Sequence, residues 1–261
     1  MGSLISYKTN NGVAIVTIDN PPMNVMSTQV IKELEKTFQA LEESPEVIVI
    51  LLTSAGDRAF MAGADIKEFP HWLDLNAAEL KENNKESHRV LSYIAGFSKP
   101  TIAYLNGYTF GGGCELALTC DLRVAAEEIQ IGLPEVKLGL FPGGGGTQRL
   151  PRLIGEAKAK ELMFTGEPID AQEALRLGLV NKVVNADTGL RDTEEMARKI
   201  ASYSLEALSR IKKSVNEGMQ IPLEKGLEIE SQYFVDIFNK QDAKEGVAAF
   251  LEKRQPTFIH K

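Results

Sequence analysis

An apolar run without alternation, Val47 to Thr53, constrains the fold of this chain more than any other feature. A strand with one face in water alternates apolar and polar residues, so a continuous run predicts a strand that is covered on both faces. Val13–Ile18 and Thr101–Leu105 are further short apolar or β-branched runs that predict strands. Helical patterns lie between them. The order strand, helix, strand, helix predicts an α/β fold with an inner sheet.

One helix is marked by its cap and its apolar spacing. Ser27 can cap a helix that runs to about Glu43, because apolar residues recur there at intervals of three and four. The predicted buried stripe comprises Val30, Ile31, Leu34, Phe38 and Leu41. The segment 74–96 also has a helical pattern, but it is polar. Leu122–Ala126 and Ile129–Ile131 predict further strands.

The character of the chain changes after about Gly143, where helical patterns dominate. Helices are predicted over 147–164, 170–178, 192–217, 222–239 and 241–253, with Val180–Val184 as the one late strand. Asp170 and Asp192 are suitable N-cap residues, and Pro222 suits the first turn of a helix. These late helices are interpreted as a cap or an assembly layer on the same domain.

Composition excludes several classes of protein. Lys plus Arg number 29 and Asp plus Glu number 36, giving a net charge of −7, which argues against a nucleic-acid surface. No apolar stretch reaches the roughly 18 residues of a membrane span, and the first ten residues lack the pattern of a signal peptide. Cys114 and Cys120 lie in one apolar segment with no spacing for a disulfide or a metal site. A cytoplasmic protein without a bound metal is expected.

Two glutamates stand in surroundings that are otherwise apolar or rich in glycine. Glu115 follows Gly111-Gly112-Gly113-Cys114, and Glu135 follows Pro134. Burial favours the neutral form of a carboxyl group and raises its pKa toward working pH, so that it can transfer protons. Glycine N–H groups at a helix start suit a developing negative charge. This combination predicts addition or removal of a proton next to a carbonyl.

Simpler interpretations exist for each of these features. Glu115 could merely cap a helix, and Glu135 could end a solvated loop. The glycine run Gly143–Gly146 is followed by Thr147-Gln148 rather than the Lys-Ser or Lys-Thr of a phosphate-binding P-loop, so a tight turn before a helix that starts at Thr147 is the better interpretation. The three histidines stand in polar segments and are interpreted as surface residues: His71, His88 and His260.

Five segments in order resemble the crotonase (enoyl-CoA hydratase/isomerase) superfamily, and together they cover essentially the whole chain. They are Asn20–Ser27, Phe60–Glu68, Lys99–Leu116, Gly132–Leu150, and Asp242–Gly246 with Phe250–Arg254. The resemblance implies a spiral of ββα units over residues 1–195 that carries the active site. It also implies a helical region over residues 196–261 that assembles trimers, often paired into hexamers.

The resemblance further implies an acyl-coenzyme A thioester as ligand, with coenzyme A as part of the substrate and no separate cofactor. Glu115 and Glu135 match the family's acid positions, and Ala64 and Gly112 match the residues whose N–H groups hold the thioester oxygen. The residues implied to line the path of the adenine and pantetheine are Pro22, Met23, Ala62, Asp65 and Ile66. Those implied to flank the acyl group are Phe110, Pro134 and Gly143, and Gly111 in the glycine turn is a further implied substrate contact.

The pair of acids favours one reaction within the family, in which hydration is associated with glutamates at both positions. The hypothesis is reversible syn hydration of a trans-2-enoyl-CoA to a 3-hydroxyacyl-CoA. The alternatives are a Δ3,Δ2-enoyl-CoA isomerase, which needs one acid–base group, and a non-catalytic RNA-binding homologue, which the acidic composition disfavours. Ser204 stands where many relatives carry a proline, and only a local effect on the backbone is expected there.

Overall fold

The computed structural model describes residues 2–260, and within them ten strands form two sheets. The strands are β1 Ile5–Asn10, β2 Val13–Ile18, β3 Val49–Ser54, β4 Ala59–Ala62, β5 Thr101–Leu105, β6 Tyr108–Phe110, β7 Leu122–Ala126, β8 Gln130–Gly132, β9 Ile169–Asp170 and β10 Lys182–Val184. The larger sheet has the order β1-β2-β3-β5-β7-β10 and the smaller one the order β4-β6-β8-β9. Every strand predicted from sequence is present, and the pairs between β2, β3, β5, β7 and β10 are parallel, which confirms the inner sheet.

Successive pairs of strands divide between the two sheets, and this division produces the ββα spiral. β3, β5 and β7 enter the larger sheet, and β4, β6 and β8, which follow them along the chain, enter the smaller one. Each pair therefore adds one strand to each sheet. All six residues of β3 are buried, as its continuous apolar sequence predicts. Four strands were not predicted from sequence: β1, which is largely polar and exposed, and the short strands β4, β6 and β9, which have two to four residues each.

Eleven α-helices occur within the described residues. They are α1 Thr28–Glu42, α2 Phe69–Asp74, α3 Ala77–Ala95, α4 Gly112–Ala117, α5 Gly146–Ile154, α6 Glu156–Thr165, α7 Ala171–Arg176, α8 Gly189–Ala201, α9 Leu205–Gly218, α10 Leu223–Phe238 and α11 Gln241–Glu252. Short 3-10 turns lie at Ile66–Glu68 and Glu135–Leu138. In α1 the Ser27 hydroxyl accepts from the N–H of Val30, and the buried residues are those of the predicted stripe. No helix in this part of the chain has the length and apolar character that crossing a bilayer requires.

The structure corrects three helix predictions. The segment 147–164 is two helices that meet at Gly155, whose φ of +82° favours glycine. The segment 192–217 is also two helices, α8 and α9, separated by residues 202–204. Asp192 is not an N-cap, because α8 begins three residues earlier and the Thr188 hydroxyl donates to the Asp192 carboxylate at 2.7 Å. Asp170 does cap α7, since its carboxylate accepts from the N–H of Glu173 at 2.8 Å.

Buried polar contacts join the C-terminal helices to the rest of the chain and to one another. Lys212 of α9 is 9% exposed and donates to the Asp121 carboxylate at 2.8 Å. The Ser204 hydroxyl donates at 2.6 Å to Asp242 of α11, a residue 38 positions away. The effect of Ser204 is therefore not only local, because a proline there would lose this bond. The predicted division at residue 195 falls inside α8 and stays a prediction.

Candidate active site

The candidate site is assembled at the ends of three neighbouring strands of the smaller sheet. β4, β6 and β8 are adjacent and parallel. Ala64 follows the end of β4, Gly111 directly follows β6, and Glu135 follows β8. Carboxyl ends of parallel strands share one edge of a sheet, so these three segments converge there.

Glycines set the position of α4, the helix that carries Glu115. Gly111 has a φ of +51°, so a residue with a side chain would be strained at this turn. A Cβ on Gly113 would lie 2.7 Å from the Cβ of Met61, so α4 approaches β4 more closely than a larger residue would permit. All six residues of α4 are buried, and Glu115 itself is 5% exposed.

In the structure, the glycine run 143–146 binds the Glu115 carboxylate. Oε1 accepts from the N–H of Gly144 at 2.7 Å and from the N–H of Gly146 at 2.8 Å. A Cβ on Gly144 would lie 2.9 Å from the carboxyl carbon of Glu115, and one on Gly146 would lie 3.1 Å from Oε1. Only glycines leave room for the carboxylate at both positions. The run is thus a carboxylate cradle as well as the predicted turn, and α5 begins at Gly146 rather than Thr147.

Glu135 opens the 3-10 turn that follows β8 and is half-buried. Its Oε1 lies 3.2 Å from the point where a Cβ on Gly111 would stand, so the carboxylate faces the start of α4. Its Oε2 is buried, and no group within residues 2–260 hydrogen-bonds to it. Buried carboxylate oxygens are rarely left without a partner, so this atom is one that a ligand or water can engage.

The surroundings of the two glutamates differ in how strongly they stabilise the charged carboxylate. Burial, assisted by the charge of Glu115, raises the pKa of Glu135 to about 7. Burial also raises the pKa of Glu115, but the N–H groups of Gly146 and Gly144 oppose the rise because they stabilise the carboxylate. Glu135 therefore has the environment of a proton donor near neutral pH, whereas the charged form of Glu115 is stabilised by two backbone donors.

Two backbone N–H groups lie beside this pair. The nitrogen of Ala64 is 3.6 Å from the point where a Cβ on Gly112 would stand. A backbone bridge between Ala64 and Met26 fixes Ala64, and the first turn of α4 fixes Gly112. Within the described chain, neither N–H has a hydrogen-bond acceptor. Two adjacent unpaired donors can hold a carbonyl oxygen and stabilise negative charge that develops on it.

The other predicted contact residues fall into separate groups. Met23 and Ala62 are joined by a backbone hydrogen bond of 3.1 Å, and Asp65 caps the 3-10 turn that begins with the exposed Ile66. Pro22 lines a separate depression of about 270 Å³.

Phe110 and Pro134 line a shallow cavity of about 210 Å³ that contains neither catalytic candidate. The hydrogen bonds and close approaches around Glu115 and Glu135 define the reactive region better than these open depressions do.

Sequence reasoning missed the residues that surround the cradle. His88 is half-buried rather than a surface residue, and its Nε2 lies 2.7 Å from the carbonyl oxygen of Gly143. Asn84 donates to the same oxygen at 3.1 Å. Of the other two histidines, His71 is exposed as predicted, whereas His260 is half-buried and accepts from the N–H of Leu205 at 3.2 Å. No local pattern could have connected α3 to a glycine run more than fifty residues later.

Comparisons with known proteins agree with this geometry. The family model described as Enoyl-CoA hydratase/isomerase matches residues 8–261. "Crotonyl-CoA hydratase" of Syntrophomonas wolfei is 42% identical over 250 residues, 95% of each chain. "Short-chain-enoyl-CoA hydratase" of Clostridium acetobutylicum is 41% identical, covering 93% of this chain and 92% of the relative. A crystal structure of an enoyl-CoA hydratase from Geobacillus kaustophilus superimposes with a TM-score of 0.95 at 36% identity, covering 100% of this chain and 98% of that one.

The ββα spiral with an acid pair at one edge of its smaller sheet defines a protein of the crotonase type. The chain belongs to the enoyl-CoA hydratase/isomerase family, on a match that spans nearly its whole length.

Proposed function

We propose that this protein is an enoyl-CoA hydratase, a hydro-lyase of acyl-CoA and fatty-acid metabolism. The reaction is the reversible syn addition of water to a trans-2-enoyl-CoA, giving a 3-hydroxyacyl-CoA. One observation carries the proposal: Glu115 and Glu135, whose pKa values are both raised by burial, follow the ends of adjacent strands and lie beside the unpaired N–H groups of Ala64 and Gly112. Full-length relatives named as hydratases support it.

In the proposed mechanism the thioester oxygen accepts from the N–H groups of Ala64 and Gly112. Electrons of the alkene move toward this oxygen as water attacks C3, so the two donors stabilise the transition state more than the ground state. Each such donor typically contributes roughly 2.7–4 kcal/mol to lowering the barrier. Gly112 suits this position because it has no side chain to obstruct the ligand.

The two glutamates divide the proton transfers between them. Glu115, ionised and held by its two glycine N–H groups, takes one proton from the water as the oxygen bonds to C3. Glu135, whose pKa is raised to about 7, delivers its proton to C2. The proton gained by Glu115 must return to Glu135 before the next cycle. The water oxygen bonds to C3 and the proton bonds to C2 on the one face of the alkene that faces the acids, which accounts for syn addition.

Substitution of each acid by its amide tests this mechanism. Glu115→Gln and Glu135→Gln are expected to lower kcat for hydration of crotonyl-CoA by about 100-fold or more while the Kd for the thioester stays within a few fold. Loss of the conjugated enoyl absorbance measures the rate, and calorimetry measures binding. Two variants that hydrate at the wild-type rate would refute the assignment. Formation of a conjugated product from a 3-enoyl-CoA, without hydration, would indicate the isomerase instead.

We also propose that the protein assembles as a homo-oligomer, a trimer or a dimer of trimers, through its C-terminal helices. Large apolar side chains are more than half exposed on α9, α10 and α11 and at the C-cap of α9: Ile211, Val215, Met219, Leu223, Leu227, Phe234, Val235, Phe238, Val247, Phe250 and Leu251. Exposed apolar surface of this extent marks an interaction site.

A cytoplasmic location completes the proposal, and it is supported by the buried, free Cys114 and Cys120.

A further inference from the structure

The two peptide groups that bind Glu115 are anchored by different parts of the molecule. The N–H of Gly146 belongs to the same planar peptide as the carbonyl of Gly145. That carbonyl accepts from the N–H groups of Gln148 at 3.0 Å and Arg149 at 2.8 Å, so the first turn of α5 fixes this peptide. The backbone of α5 is sufficient to aim the Gly146 N–H.

The second donor peptide has no such backbone anchor. The N–H of Gly144 shares a plane with the carbonyl of Gly143, and the flanking glycines leave this peptide free of the usual steric limits on rotation. Its carbonyl instead accepts from two side chains of α3, His88 at 2.7 Å and Asn84 at 3.1 Å. A carbonyl oxygen can only accept, so Nε2 of His88 carries the hydrogen in this contact.

We propose that His88 and Asn84 are positioning residues for Glu115, acting through the peptide between Gly143 and Gly144. They hold the carbonyl of that peptide away from the carboxylate and thereby keep the N–H of Gly144 aimed at Oε1. A reversed peptide would present a carbonyl oxygen to the carboxylate in place of a donor. The catalytic consequence rests on the proposed function, whereas the hold on the Glu115 carboxylate does not.

α3 has other attachments, which separate this role from a structural one. Val90, Leu91 and Ile94 are fully buried, and Arg89 pairs with Glu35 of α1. Loss of one hydrogen bond from His88 therefore leaves α3 in place. The change is confined to the cradle.

Several titratable groups face Glu115, and they set the sign of the expected change in its pKa. His88 from α3 and Arg149 from α5 both favour the carboxylate, and Glu135 from the 3-10 turn lies close enough to interact with it. Removal of the Gly144 N–H removes a further stabilising contact with the charged form. The pKa of Glu115 should then rise, and less of the base is ionised at a given pH.

The experiment compares variants of full-length protein by kinetics and by carbon-13 NMR of glutamate labelled at Cδ, with Glu115 assigned by its absence in Glu115→Gln. His88→Leu and Asn84→Asp are expected to lower kcat for crotonyl-CoA about tenfold or more, with little change in KM, and to raise the pKa of Glu115. His88→Gln places an amide N–H close to the position of Nε2 and is expected to restore kcat to within about threefold of wild type.

Two matched controls lie on the same helix. Asn83→Asp introduces the same charge one residue from Asn84, and Lys85→Gln removes an exposed charge that pairs with Glu82 of the same helix; both should retain wild-type kcat. Wild-type kcat and an unchanged Glu115 titration in His88→Leu and Asn84→Asp would overturn the proposal. A shifted titration in a wild-type-like fold that hydrates no enoyl-CoA would support the positioning role and refute the proposed function.

Discussion

Replacement of Gly144 by alanine should disable the site without unfolding the protein. The Cβ of alanine would lie 2.9 Å from the carboxyl carbon of Glu115 and closer still to Oε2. Gly144 does not have a positive φ, so its backbone accepts alanine without strain. The displaced group is the end of a flexible side chain, so the structure can adjust by moving the carboxylate alone.

The expected loss follows from the movement that this contact demands. Ordinary contact begins at 3.4 Å, so the carboxyl carbon must retreat from 2.9 Å to 3.4 Å, a shift of at least 0.5 Å. Such a shift lengthens or breaks the 2.7 Å bond from the Gly144 N–H. A hydrogen bond to a charged group contributes about 1.5–3 kcal/mol, which corresponds to roughly a 10- to 100-fold lower kcat.

Steady-state hydration of crotonyl-CoA measures this loss, with thermal unfolding as the check on the fold. KM should change little, because Gly144 is not one of the predicted substrate contacts. Gly246→Ala is the control: it lies in α11, and its new Cβ would meet Phe258 at 3.5 Å, an ordinary contact. A Gly144→Ala enzyme with kcat within threefold of wild type would refute the view that the cradle sets the position of the base.

Three further predictions concern pH, stability and assembly. Because Glu135 must be protonated to donate and its pKa is raised to about 7, kcat/KM for hydration should fall as the pH rises through about 7. Lys212→Met should lower the free energy of unfolding by about 1–3 kcal/mol in urea at matched protein concentration, because Asp121 loses a buried partner. Phe250→Glu should reduce the oligomer mass in sedimentation, because a charge would replace an apolar side chain that is 82% exposed.

Each of these expectations has a contrary outcome. A kcat/KM that stays constant from about pH 6 to 9 would show that protonation of Glu135 does not limit hydration. Unchanged stability of Lys212→Met would show that its bond to Asp121 contributes nothing net. For assembly, the control is Leu73→Glu on α2, where the side chain is 83% exposed. Equal effects of both substitutions on the oligomer would argue against an interface restricted to the C-terminal helices.

Local patterns predicted much of the fold, because the relevant contacts lie close in sequence. Ser27 and the apolar stripe of α1 are separated by no more than fourteen residues, and both predictions are confirmed. The break between α8 and α9 was not predicted, since helical spacing continues through residues 202–204. That break is stabilised by a hydrogen bond from Ser204 to Asp242, a residue that no window on the sequence would connect to it.

In the candidate site, too, local sequence patterns identify key residues but not their partners distant in the chain. The unusual setting of Glu115 and Glu135 is visible in their glycine-rich and apolar neighbours, and in the structure the charge of Glu115 contributes to the raised pKa of Glu135. The partners of Glu115 are not visible in this way, because Gly144 and Gly146 lie about thirty residues away and His88 lies on another helix. Such contacts depend on strand order, which a single sequence does not reveal.

The placement of the candidate residues just after the ends of β4, β6 and β8 lets the smaller sheet fix the spacing between them. Neighbouring strands stand about 4.8 Å apart, so each reactive segment is offset from the next by one fixed interval. The thioester oxygen would be bound between the ends of β4 and β6, and the proton donor after β8 would lie one strand further along the sheet. The sheet thereby sets the distance between the N–H groups that would hold the thioester oxygen and the carboxyl group that would donate the proton. Changes in the loops can alter which acyl chains enter, but a different distance between these protein groups would require the strands themselves to move.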